Sequence, residues 1–174
     1  MKKKIIAFSY MVLISASSSK IDAATSIAEC TATIAPGITA NKNTETSTGG
    51  DLTFGTIIPG SSSGTITITP LTSTRSSSGG VVLVNSISGP ATFDVTGAAN
   101  SPYTVTLPNN GTITISNGSN TMTVNSFSAS PTSGNSTLNS QGLSSFKVGG
   151  KLEVHANQPA GSYSGTFDVT VGYQ

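Results

Sequence analysis

Three side chains in this sequence are of the right type for nucleophilic, acid–base or metal chemistry, and their settings decide what each can do. "GSSSG" (residues 60–64) has the G-x-S-x-G form that presents a serine nucleophile, with Ser62 at its centre. That device needs a strand-to-helix turn, a histidine to take the proton and an acid to orient the histidine. Here both flanks, "FGTIIP" and "TITITP", read as strands, and Ser62 reads as a loop residue. His155 is the only histidine. In "KLEVHA" it alternates with Lys151 and Glu153 on one strand face, while Leu152, Val154 and Ala156 take the other, so it is expected on a solvated face. Cys30 is the only cysteine. A lone thiol closes no intrachain disulfide, and it reads as a small buried hydrophobe, with an interchain disulfide or a reactive thiol as the alternative. One cysteine, one histidine and dispersed acids make neither a zinc set nor a calcium loop. The expectation is no catalytic residue, no metal, no cofactor and no enzyme.

The elements around these residues are strands. From Asp51 onward, short runs rich in Thr, Val and Ile alternate with Gly, Ser, Asn and Pro: "DLTFGTII", "GTITITP", "GVVLVNSI", "ATFDVTG", "YTVTLP", "GTITISNG", "NTMTVNSFSAS" and "FKVGGKLEVHA". No window shows the 3.6-residue period of an amphipathic helix. Many short strands at this spacing predict an all-β, antiparallel sandwich. "GSSSG" and "STRSSSGG" read as loops at strand ends, and "NKNTETSTGG" as a mobile polar linker.

The first residues read as an export signal. A basic "MKKK" precedes the apolar run "IIAFSYMVLI", too short to span a bilayer, and then small residues. Cleavage is expected between Ala23 and Ala24, with Ala16 as a second site; Glu29 before Cys30 does not suit a lipoprotein signal. Residues 1–23 are then the signal, 24–50 an N-terminal strand and linker, and 51–174 the sandwich. Without the signal, four basic and six acidic side chains remain, a net charge of −2. No basic patch with interleaved aromatics occurs, which argues against nucleic acid. No further apolar run predicts a membrane span.

The two ends carry the most regular patterns. In the final "GSYSGTFDVTVGYQ", Gly161, Tyr163, Gly165, Phe167, Val169, Val171 and Tyr173 share one face and polar residues the other. Near the start, Ala28, Cys30, Ala32 and Ile34, then Ile38 and Ala40 beyond Pro36, form a weaker alternating set of smaller side chains. A strand like the last one cannot stay unpaired at an edge without inviting association.

Counted from the end, Tyr173 is second and Gly161 fourteenth, a spacing that resembles the C-terminal motif of chaperone–usher pilins. The blocks "DLTFGTIIPG", "FDVTG", "YTVTLP", "TMTVNSF" and "VGGKLEVHANQPAGSYSGTFDVTVGYQ" resemble the exported bacterial family catalogued as domain of unknown function 4402, itself similar to the spore coat protein U group. The chain departs from many pilins in lacking a cysteine pair. The resemblance implies an immunoglobulin-like sandwich short of a strand, completed by donor-strand complementation. It also implies a role as structural subunit of a surface fibre, with a second copy of the chain, a periplasmic chaperone and an outer-membrane usher as partners. Ala28, Cys30, Ala32 and Ile34 would form the donor face. Gly161, Tyr163, Phe167, Val169, Val171 and Tyr173 would form the acceptor face. The alternative is a self-complemented, exported binding domain without enzymatic activity. With no Trp and four Tyr, that alternative is poorly supplied with stacking surface for sugars.

Overall fold

A computed structural model describes Glu29 and residues 31–131 and 136–174. The chain divides into two units, Met1–Thr33 and Ile34–Gln174. In the first, Glu29 and residues 31–33 are exposed and without regular structure. The expected cleavage site at Ala23 and Ala24, and the donor-face residues Ala28 and Cys30, lie outside the described residues.

The second unit is all-β, with no helix among its described residues. Its strands are β1 (Thr39–Lys42), β2 (Ile57–Thr69), β3 (Thr74–Leu83), β4 (Ala91–Thr96), β5 (Pro102–Thr106), β6 (Ile113–Asn117), β7 (Asn120–Ser130), β8 (Ser136–Thr137), β9 (Leu143–Val154) and β10 (Thr170–Tyr173). Every pairing is antiparallel. The long β9 organises the larger sheet. One of its edges pairs with β7, which carries β6; the other pairs with β4 as far as Val148 and with β2 from Gly150. β1 extends the sheet beyond β4, and β3 beyond β2. The smaller sheet runs β10-β5-β8. The expected antiparallel sandwich is what the sequence folds into.

Alternation explains the core. On β2, Ile66 and Ile68 are buried while Thr65 and Thr67 face outward; on β9, Leu152 and Val154 are buried opposite Lys151 and Glu153. The buried residues fall into two clusters. One joins Phe54, Ile66, Ile68, Val81, Met122, Val124, Leu152 and Val154. The other joins Ala91, Val95, Tyr103, Val105, Leu138, Phe146 and Val148. Leu52 and Phe127 touch both.

Several sequence expectations need adjusting. The Ser-rich runs are not loops. β2 runs through "GSSSG", its register widening between Pro59 and Gly64, and β3 begins at Thr74, so Ser76 pairs with Thr67 and Ser78 with Thr65. Backbone pairing at an exposed edge does not require apolar side chains, so composition hid these residues. The expected mobile linker starts inside β1, and its remainder is a hydrogen-bonded turn: Asn43 N donates to Thr92 O at 2.8 Å and Gly50 N to Thr46 Oγ1 at 2.7 Å. "DLTFGT" holds one bridge, Thr53 with Gly89, instead of a strand. The C-terminal strand is regular over β10 alone; in residues 161–169 only Ser164 is bridged, to Ser116. A ladder needs a neighbouring free edge as well as an alternating sequence, and β5 reaches no further than Thr106.

Candidate functional site

The sandwich is closed at one end and open at the other. Between residues 50–57 and residues 161–167 lies a groove of about 670 Å³. Its floor is the inner face of the larger sheet, with Met122, Val124 and Leu152 buried and Ile113, Ile115 and Phe127 half-buried. Leu52, Phe54 and Ile57 line one wall, and Gly161, Tyr163, Gly165 and Phe167 the other. Lys42 lies at the end where β1 stops, joined to Asp51 by an exposed ion pair at 2.8 Å.

Both walls are held from behind. Arg75, on β3, reaches under the first wall: Nη1 donates to Phe54 O at 2.9 Å and Nη2 to Val84 O at 2.5 Å. Gly55 lies directly over that guanidinium with φ of 72°, and a Cβ there would collide with Nη1. The second wall is fixed through side chains. Tyr163 OH accepts from Gln158 Nε2 at 2.9 Å and donates to Pro159 O at 2.8 Å, and the Phe167 ring lies 5.2 Å from that of Phe127. Ser164 exchanges both backbone bonds with Ser116, at 2.9 and 3.0 Å. Among the described residues, no other backbone–backbone bond engages residues 161–169. An apolar floor beside an extended, largely unladdered segment is the arrangement that accepts an added strand: main-chain bonds supply affinity and pockets supply specificity.

The same walls fall within a recognised family. A family model described as Domain of unknown function (DUF4402) matches residues 43–173. The chain belongs to this family. The match takes in both walls of the groove, the floor and the Arg75 support. No curated protein and no solved structure matches the chain.

The expected site residues are distributed unequally. Tyr163 joins the first cluster, while Phe167, Val169 and Val171 join the second, so the acceptor face does point inward. Gly161 is on the groove wall but exposed. Tyr173 departs from the expectation. Its ring stays 38% exposed, and its hydroxyl accepts from Ala98 N at 2.6 Å and donates to Pro36 O at 2.9 Å. On the donor face, Ala32 is exposed, and Ile34 is 95% exposed, outside any strand. The alternation there continues inward only at Ile38 and Ala40, both half-buried against the second cluster.

Sequence reasoning missed the first wall's function. The apolar spacing of Leu52, Phe54 and Ile57 was visible, but nothing local distinguishes a groove wall from an ordinary core strand. Arg75, inside a Ser-rich run, gave no signal. His155 is exposed, and the strand ends at Val154, leaving Ala156 exposed as well. Ser62 is exposed in the widened part of β2.

Proposed function

We propose that this chain is a structural subunit of an exported surface fibre, a pilin-like immunoglobulin-like sandwich polymerised by donor-strand complementation. The observation that carries the reading is the groove, walled on one side by residues 161–167 with their backbone mostly unladdered and floored by apolar side chains. Residues 28–34 of a second copy are the occupant. Their even positions are Ala, Cys, Ala and Ile, and Ile34 is an apolar side chain with nothing over it. A chaperone would cover the groove in the periplasm and an usher would pass the subunit outward; the basic and apolar leader in residues 1–23 supports export. The activity is assembly, with no catalysis.

One observation favours a second reading, a self-complemented exported binding domain. β1 of the same chain already closes the other half of the sandwich, pairing with β4 and lying against the second cluster.

A denaturing gel of unboiled material separates the two. A ladder of oligomers that collapses on boiling supports strand exchange, and a sharp monomer band at every concentration supports the binding domain.

A further inference from the structure

We infer that Tyr173 is a positioning residue for strand exchange: its hydroxyl pins Pro36 and holds the N-terminal arm where it reaches a neighbour's groove and not its own. The inference rests on the strand-exchange reading above.

The Tyr173 oxygen sits between Ala98 N and Pro36 O, at 2.6 and 2.9 Å, so one side chain ties the C-terminal strand, the β4–β5 connection and the arm together. The fit is close. A Cβ at Gly97 would collide with that hydroxyl and approach Leu138 Cδ1 to 2.9 Å. Pro36 has no N–H, so the arm is fastened here through its carbonyl.

Pro36 precedes Lys42, at the groove end, by six residues, and Tyr173 follows Phe167, the last residue of the wall, by six. At roughly 3.3 Å per extended residue, both routes place the latch about 20 Å from the groove. The arm therefore leaves the domain at the end remote from its own groove. To fold back, it must reverse near Ala35 and retrace that distance. Seven extended residues, 28–34, span at most about 25 Å, nearly all of it used in the approach. A second copy carries no such restriction. Without the hydroxyl, the arm is held only from Thr39, where β1 pairs with Thr96. Residues 35–38 then add to its reach, and self-insertion becomes feasible.

The test measures binding of a labelled peptide copying residues 27–35 to the full-length chain. Ile34→Asp serves as the reference, since it disables the arm and leaves the groove open. Tyr173→Phe should bind the peptide on the order of 100-fold more weakly than the reference, because a tethered arm competes at roughly millimolar effective concentration. The same variant should lose the oligomer ladder. Combining Tyr173→Phe with Ile34→Asp should restore binding to the reference level. Unchanged peptide affinity and an intact ladder in Tyr173→Phe overturn the latch. A double variant that stays weak also overturns it, because the hydroxyl would then be shaping the groove itself. If the Ile34→Asp reference binds no peptide, strand exchange through this groove is wrong, and the latch with it.

Discussion

The two halves of the C-terminal segment have the same alternation and live in different surroundings. Thr170–Tyr173 pairs residue for residue with Thr106 to Tyr103 of β5. Val171 packs in the cluster where Tyr103, Val95 and Val148 have no exposed surface, and Ile38 and Ala40 pack against the same cluster. Residues 161–167 carry larger inward side chains, Tyr163 and Phe167, yet have one bridged residue and face a groove. The difference teaches that a period of two specifies a face and leaves the partner open. It also marks where free energy remains. Fully burying a large apolar side chain is worth about 1.5–3 kcal/mol, so the half-buried Ile113, Ile115 and Phe167 each retain part of that as a drive for association.

The comparison can be broken most sharply in the closed half. Phe146 is buried and stacked 5.1 Å from Phe93. Phe146→Ala should cost about 3–5 kcal/mol in urea unfolding, a large share of the roughly 5–15 kcal/mol a domain possesses. A loss below about 1 kcal/mol would show that this half is not the stabilising core. Phe167→Ala, at the groove, should cost the isolated chain about 1–2 kcal/mol, since its ring is only partly covered. The penalty should grow in the assembled form, measured as the temperature at which oligomers dissociate. Equal penalties in the two forms would mean that nothing covers the ring on assembly.

Smaller effects test how the groove is built. Arg75→Ala removes the bonds to Phe54 O and Val84 O and should cost about 1–2 kcal/mol. Hydrogen exchange should rise at residues 53–56 and 84–89 and stay unchanged in β5 and β10; a uniform rise would remove the argument that Arg75 supports one wall. Ile34→Asp should move stability by less than about 0.5 kcal/mol, because the side chain is 95% exposed, while abolishing the oligomer ladder. Ladders that survive it would exclude residue 34 from the donor. Asp51→Asn should be the mildest, at most about 0.5 kcal/mol, because both partners of the Lys42–Asp51 pair are exposed. A larger loss would show that the groove end depends on this pair.

Much of the fold was legible before any coordinates, and less of the site. "NTMTVNSFSAS" and "ATFDVTG" match β7 and β4 almost residue for residue, since both strands bury one face and show it in their spacing. The Ser-rich parts of β2 and β3 were unreadable because they bury nothing. Two consecutive residues, Ser136 and Thr137, form β8, too short to leave a period. At the groove, the inward face of Tyr163, Phe167 and Val169 was readable. The opposing wall and its Arg75 support were not, because they depend on residues twenty to thirty positions apart.

By itself the sequence determined which side chains point inward on each strand, that no helix-forming period exists, and that one thiol and one histidine are all the reactive groups available. These are local properties, set by the alternation of the pleat and by counting. Tertiary structure decided that β9 serves three neighbours, that residues 161–169 lie almost without a ladder, and that Tyr173 spends its hydroxyl on Pro36 while its ring stays partly in solvent. Such outcomes depend on which edges meet after the chain has closed long loops, and no local pattern encodes an edge's partner.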